Sequence, residues 1–162
     1  MFLRRFTIIC LFVILGFTAA CKDQPYPGEL VIAALGDSLT AGYGIGEARA
    51  FPAQLQERLR ADGYERTKVL NFGISGDTTT GGLARLGDVL EAEPDIVILA
   101  LGANDLLRSA QASDAATNLE TIITRLKQDD VTVILAGIKP PAIFSLGNDN
   151  LAEYTAMYEA MS

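Results

Sequence analysis

The sequence contains no histidine and no tryptophan in its 162 residues, and it has only two cysteines. Histidine is the commonest general base and a common metal ligand, so its absence limits every mechanism that the chain could support. With so few nitrogen and sulfur ligands, the sequence argues against a zinc site. We therefore expect no metal and no other cofactor.

Basic residues are also few. The chain has 13 Lys and Arg against 20 Asp and Glu, which gives a formal net charge of −7. A protein that binds nucleic acid needs a basic surface, so this class of partner is excluded. Apolar residues make up 49% of the chain and charged residues 20%, which is typical of a folded globular protein. The length indicates one domain.

The longest apolar run, from Phe6 to Phe17, is shorter than the roughly 20 residues that span a bilayer comfortably. Arg4 and Arg5 precede this run, and the small residues 18–20 follow it. This order is typical of a secretory signal peptide, which we place at residues 1–21. The sequence therefore predicts an exported protein.

Cys21 ends this segment, and the run Thr-Ala-Ala-Cys resembles the lipobox at which bacterial lipoproteins are cleaved and lipidated. Thr18 stands where leucine is usual, so two outcomes stay open. Lipidation at Cys21 would anchor the protein to a membrane, whereas simple cleavage after Ala20 would release it into the periplasm. Cys10 would leave with the signal, so no internal disulfide is expected. Residues 22–29 are interpreted as a tether and residues 30–162 as the domain.

The rest of the chain alternates between apolar runs and segments with helical spacing. The predicted strands are Leu30–Leu35, Val69–Phe72, Ile96–Leu101 and Val131–Ala136. The predicted helices are centred on Phe51 to Leu59, Leu83 to Leu90, Leu119 to Leu126 (with Ser113 or Asp114 as N-cap) and Leu151 to Met161. Unbroken apolar strands are typical of a parallel sheet that is covered on both faces. The pattern predicts a three-layer α/β/α fold.

Three polar, glycine-rich segments follow the first three predicted strands: Gly36–Thr40, Gly73–Asp77 and Gly102–Asp105. The carboxyl ends of parallel strands lie at one edge of a sheet, and ligands bind at that edge in open α/β folds. The sequence therefore predicts one site to which all three segments contribute.

Each candidate residue in these segments has a functional and a structural interpretation. Ser38 could present a nucleophilic hydroxyl at the sheet edge, or it could be a helix N-cap. Asn104 could donate a hydrogen bond to an oxyanion, or it could be a turn residue. Gly76 could offer a backbone N–H, or it could be a turn glycine. The neighbouring acidic residues are interpreted as supports that accept backbone N–H bonds: Asp37, Asp77 and Asp105.

Together the blocks LGDSLTAGYG (residues 35–44), NFGISGDTTTGGLARL (71–86) and LALGANDLLR (99–108) resemble the GDSL, or SGNH, hydrolases. The branch with the closest resemblance contains multifunctional thioesterase–lysophospholipases and arylesterases. The resemblance implies a flavodoxin-like α/β/α sandwich without a metal. It also implies that Ser38 is the nucleophile and that Gly76, Asn104 and the N–H of Ser38 itself form the oxyanion hole.

The family carries its general base in an Asp-x-x-His block after a fifth strand, and these 162 residues contain no such block. We therefore expect the domain to lack its C-terminal part, and the alternative is a natural pseudoenzyme that has lost its base. In both cases the chain by itself is expected to be nearly inactive. The expected substrates of the parent enzyme are small or lipid-like carboxylic esters and thioesters. The alternatives are a carbohydrate O-deacetylase or acyltransferase on the same fold, and a non-catalytic flavodoxin-like binding lipoprotein.

Overall fold

The computed structural model describes residues 28–137 and 149–161. The predicted signal segment, Cys21 and most of the predicted tether lie outside these residues. Among the residues that are described, no helix is both long and apolar enough to cross a membrane.

Within residues 28–137 and 149–161, four parallel strands form one central sheet: β1 (Leu30–Gly36), β2 (Thr67–Gly73), β3 (Ile96–Ala100) and β4 (Thr132–Leu135). Their spatial order is β2-β1-β3-β4, so β1 pairs with both β2 and β3. The predicted parallel sheet is therefore confirmed. Each strand lies within two residues of the apolar run that predicted it.

In the described part of the chain, helices and one 3-10 turn connect the strands of the sheet. The helices are α1 (Ser38–Ala41), α2 (Phe51–Ala61), α3 (Thr79–Ala84), α4 (Leu86–Leu90), α5 (Ala103–Leu107), α6 (Ala112–Gln128) and α7 (Asp149–Met161), and the 3-10 turn is Glu47–Arg49. The short helices α1, α3 and α5 begin just beyond the ends of β1, β2 and β3, so they position the three polar segments.

Two details of the helix prediction are wrong. The single helix expected around Leu83 to Leu90 is divided at Arg85, whose backbone (φ −107°, ψ 15°) leaves the helical region. The helix for which Ser113 or Asp114 was the expected N-cap begins at Ala112, and its N-cap is the extended Gln111, which makes no side-chain hydrogen bond there. Ala112 is buried, so packing rather than a polar cap sets the start of α6.

The main core lies on one face of the sheet. Buried residues of α6 at helical spacing pack on Leu35, Val97 and Leu99, together with residues of α4 and α7. The buried α6 residues are Ala112, Ala115, Leu119, Ile122 and Leu126. Side chains alternate along a strand, so Ala34 points to the other face, on the side where α2 packs against β2. Each fully buried leucine or isoleucine contributes about 1.5–3 kcal/mol.

Candidate active site

The ends of the three central strands bring the polar segments together. The last residue of β1, Gly36, is paired with Gly73 of β2 and with Ala100 of β3. Ser38, Gly76 and Asn104 follow these strand ends within four residues. The structure therefore places all three segments at one edge of the sheet.

Two glycines allow α1 to lie directly on this edge. A Cβ atom on Gly36 would lie 2.0 Å from Oγ1 of Thr40, and a Cβ on Gly73 would lie 2.2 Å from the backbone N of Ala41. Contacts this short leave no space for any other residue type. The glycines of the first two segments therefore set the close approach of α1 to β1 and β2.

Asp37, and not Ser38, is the N-cap of α1. The Asp37 carboxylate accepts the N–H of Leu39 at 3.0 Å, and Ser38 is the first residue of the helix. Within residues 28–137 and 149–161, neither the hydroxyl nor the N–H of Ser38 has a hydrogen-bond partner. The structural interpretation of Ser38 as a cap is therefore wrong, and its hydroxyl and N–H stay available at the sheet edge.

Gly76 is the third residue of a tight turn, Ile74–Asp77. The N–H of Asp77 donates to the carbonyl of Ile74 at 3.0 Å, and Gly76 has φ 80°, which favours glycine at this turn position. The N–H of Ile74 donates to the carbonyl of Gly36, so the turn is fixed to the end of β1. In the part of the chain that the structure describes, the Gly76 N–H has no partner.

Asn104 connects the three segments through its side chain. It lies in the first turn of α5, after Gly102, and is therefore not a turn residue. Its amide Nδ2 donates to the backbone carbonyl of Asp77 at 2.9 Å and lies 3.4 Å from Oδ2 of Asp37. The amide is thus held between the Ser38 segment and the Gly76 turn.

The three acidic residues have different environments. Asp37 is buried at the start of α1, and Asp77 accepts the N–H of Thr78 at 3.0 Å. Asp105 is 5% exposed and accepts both the N–H and the hydroxyl of Thr79, at 2.9 and 2.6 Å. Asp105 therefore joins α5 to α3.

Arg85 is a residue of this edge that the sequence analysis did not single out. Its guanidinium contacts the Asp77 carboxylate and two strand-end carbonyls, those of Phe72 and Gly36. The sequence carries no local signal for this role, since an arginine between Leu83 and Leu86 is compatible with an ordinary amphipathic helix.

A cavity of about 230 Å³ opens beside Asp37. Apolar residues from four segments supply most of its walls: Leu39, Phe51, Ala100, Leu101, Ala103 and Ala136. Leu39 is 79% exposed although it lies next to Ser38. The cavity can therefore hold an apolar group beside Asp37 and Leu39, the residues that flank Ser38 in the sequence. Within the described residues, no group of three or more His, Cys, Asp or Glu side chains could hold a metal ion.

Curated relatives cover most of this chain. It is 38% identical over 132 residues to the arylesterase of Vibrio mimicus, covering 81% of this chain and 64% of that protein. It is 35% identical over 151 residues to thioesterase 1/protease 1/lysophospholipase L1 of Escherichia coli strain K12, covering 93% and 66%. The chain thus spans just under two thirds of the length of these relatives.

A crystal structure of AlinE4, an SGNH-hydrolase family esterase, has the same fold with a TM-score of 0.74 and 36% identity. The similarity covers 83% of this chain and 71% of AlinE4. The model of the GDSL-like lipase/acylhydrolase family matches residues 34–162, which include all three polar segments. The chain therefore belongs to the GDSL-like lipase/acylhydrolase family.

Proposed function

We propose that this chain carries the nucleophile and the oxyanion-binding groups of a serine esterase that cleaves carboxylic esters or thioesters. One observation carries the proposal. The Asn104 amide is held between the Ser38 segment and the Gly76 turn, and both of those segments offer an unpartnered N–H. The Asn104 amide gives one hydrogen to the Asp77 carbonyl, and its second hydrogen makes only a long contact of 3.4 Å with Asp37, which a substrate oxygen can replace. Together with the two N–H groups and the free hydroxyl, this hydrogen suits the negative oxygen of a tetrahedral intermediate.

In the first half of the proposed reaction, Oγ of Ser38 attacks the ester carbonyl carbon. The new C–O bond forms as the carbonyl electron pair moves to oxygen, where the N–H groups of Ser38 and Gly76 and the Asn104 amide stabilise it. The intermediate then breaks the bond to the leaving group, which departs as an alcohol or thiol with the proton that Ser38 lost, and leaves an acyl-serine. Water hydrolyses this ester and releases the acid.

Ser38 needs a group that accepts its proton, and the sequence contains no histidine. The buried Asp37 is an N-cap whose carboxylate already accepts the N–H of Leu39, so we assign it a supporting role. We expect the 162-residue chain by itself to be nearly inactive. Without a base, about 10³–10⁴-fold acceleration over water remains from the oxyanion donors and substrate binding.

The apolar cavity beside Asp37 favours substrates with an aliphatic or aromatic group on one side of the ester. Leu39, Phe51 and Leu101 supply the large side chains of its wall. A volume of about 230 Å³ suits a short acyl chain or one aromatic ring. We propose that arylesters and short-chain esters or thioesters bind there, and that esters with a charged acyl group bind poorly.

We also propose that the signal at residues 1–21 exports the protein and that a lipid on Cys21 anchors it to a membrane. The experiment is metabolic labelling with a radioactive fatty acid in cells that express the protein. Label that disappears in a Cys21→Ser variant would support the anchor. Unlabelled, fully processed protein would instead indicate simple cleavage after Ala20.

The central test uses the intact protein, by which we mean the parent enzyme that is expected to carry this chain together with an Asp-x-x-His block. It is labelled covalently with a fluorophosphonate, which reacts with activated serines. We expect label on Ser38, and we expect Ser38→Ala to remove both the label and the hydrolysis of p-nitrophenyl esters. Ser113→Ala is the matched control, because Ser113 is exposed in the first turn of α6. Hydrolysis that survives Ser38→Ala would refute the proposal, and a folded protein that neither labels nor hydrolyses would favour the binding-module alternative.

A further inference from the structure

The guanidinium of Arg85 makes four polar contacts near the proposed site, although Arg85 takes no part in the proposed reaction. Its Nε and Nη2 lie 2.8 and 2.7 Å from Oδ2 of Asp77. Its Nη1 donates to the carbonyl of Phe72 at 2.8 Å, and its Nη2 donates to the carbonyl of Gly36 at 3.1 Å. The side chains of Arg85 and Asp77 are only 15% and 11% exposed.

These contacts reach both sides of the Gly76 turn. The carbonyl of Gly36 ends β1 two residues before Ser38, and the carbonyl of Phe72 lies near the end of β2. Asp77 is the last residue of the turn and directly follows Gly76. One guanidinium therefore ties the turn to the two strands that precede the proposed nucleophile and oxyanion donor.

The backbone around Asp77 fits this arrangement closely. A Cβ atom on Gly81 would lie 1.9 Å from Oδ1 of Asp77, so glycine at this position leaves the space that the carboxylate occupies. Arg85 itself lies at the break between α3 and α4, which lets its side chain turn towards the strand ends. Arginine suits the position because its planar fork can donate to a carboxylate and to carbonyls at once.

We infer that Arg85 is a positioning residue that holds the Gly76 turn, and with it the Gly76 N–H, in register with Ser38. The inference rests on the proposed function, because it assigns Gly76 to the oxyanion hole. Donors that stabilise an oxyanion act mainly in the transition state, so their displacement lowers kcat more than it changes KM. A residue that only stabilised the fold would change the amount of folded enzyme and leave kcat per labelled site unchanged.

The experiment compares Arg85→Gln and Arg85→Lys with the wild-type intact protein. Arg58→Gln is the matched control, since Arg58 forms an exposed ion pair with Asp62 far along α2. For each variant we measure thermal unfolding, kcat per fluorophosphonate-labelled site, KM for a p-nitrophenyl ester, and amide hydrogen exchange at Ile74 and Asp77. The N–H groups of Ile74 and Asp77 make the hydrogen bonds that fix the turn.

For Arg85→Gln we expect kcat to fall about 10- to 100-fold with KM within about threefold of the wild type, because small displacements of catalytic groups carry losses of this size. We expect the amide exchange rates of Ile74 and Asp77 to rise about tenfold or more. Without the contacts of Arg85, the turn can open while the rest of the domain stays folded. Arg85→Lys keeps the charge without the fork, so it recovers only part of kcat. It is also the variant to use where Arg85→Gln fails to fold.

Unchanged kcat per labelled site in a folded variant, or unchanged exchange at both amides, would overturn the inference. Equal losses in Arg58→Gln would also overturn it, because they would show a general effect of removing an arginine. A wild-type protein that hydrolyses no ester would refute the proposed function. The exchange rates would then still report whether Arg85 holds the turn.

Discussion

The side-chain amide of Asn104 donates to the backbone carbonyl of Asp77 at 2.9 Å, across 27 residues of sequence. This bond fixes the direction of the amide that we assign to the oxyanion hole. Asn104→Ala removes the donor and leaves the turn carbonyl of Asp77 without this partner.

We expect Asn104→Ala to lower kcat about 10²–10³-fold with a small change in KM, as is typical when one oxyanion donor is lost. Steady-state hydrolysis by the intact protein measures this. Asn118→Ala is the matched control, because Asn118 donates to the hydroxyls of Thr79 and Thr80 and not to the site segments. A loss of less than about threefold in Asn104→Ala would remove Asn104 from the mechanism.

The apolar cavity beside Asp37, called the groove here, allows a test of substrate preference. Phe51 and Leu39 line it, so Phe51→Ala removes apolar contact area from the bound acyl or aryl group. Each buried methylene contributes about 0.8 kcal/mol, so we expect kcat/KM for a butyryl ester to fall about tenfold and that for an acetyl ester to fall less. Leu107→Ala is the control, since Leu107 is 79% exposed and does not line the groove. Equal losses for both esters would argue against this groove as the acyl site.

Gly102 is a position where only glycine fits. It has φ 118°, and a Cβ there would lie 2.2 Å from the hydroxyl of Tyr158. We expect Gly102→Ala to lower the free energy of unfolding by about 2–4 kcal/mol, because backbone strain and overpacking add. Gly87→Ala in α4 meets no atom within 4 Å and is expected to raise stability by up to about 1 kcal/mol. Urea unfolding of both variants checks the contrast, and similar effects would contradict it.

Because of two tyrosines of α7, we expect the free energy of unfolding to fall at alkaline pH. Burial, and then the negative charges of Asp105 and Asp114, raise the pKa of Tyr154 to about 12. Burial is also the main cause that raises the pKa of Tyr158, whose hydroxyl donates to the carbonyl of Leu101 at 2.5 Å. Tyrosines of the unfolded chain ionise near pH 10. The unfolded chain therefore releases these protons first, and the free energy of unfolding falls as pH rises from about 10 to about 12.

Urea unfolding between pH 8 and pH 11.5 measures this dependence. Tyr154→Phe is expected to flatten the loss above pH 10, because phenylalanine has no proton to release. Tyr158→Phe flattens it too and, at pH 8, costs about 1–2 kcal/mol because the Leu101 carbonyl loses its donor. Tyr43→Phe is the control, since Tyr43 is 79% exposed. A variant with the wild-type slope would exclude that tyrosine as the source.

Much of the fold followed from the sequence because its signals are local. Unbroken apolar runs predicted all four strands, and their parallel pairing placed Ser38, Gly76 and Asn104 at one edge. The division of the second helix at Arg85 was missed, since apolar spacing continues from Leu83 to Leu86 across the break. Periodicity reports which face of a helix is apolar and not whether the backbone stays helical.

The sequence by itself determined the parallel sheet, the edge at which the polar segments lie, and the residue types that identify the family. Tertiary structure alone decided the partners of Asp77 and Asp105. It joined Asp105 to Thr79, 26 residues away, and placed Arg85 between Asp77 and the ends of two strands. The reason is distance along the chain, because the bonds of Arg85 to Phe72 and Gly36 span 13 and 49 residues. No local pattern contains such contacts, which form only when the strand ends meet.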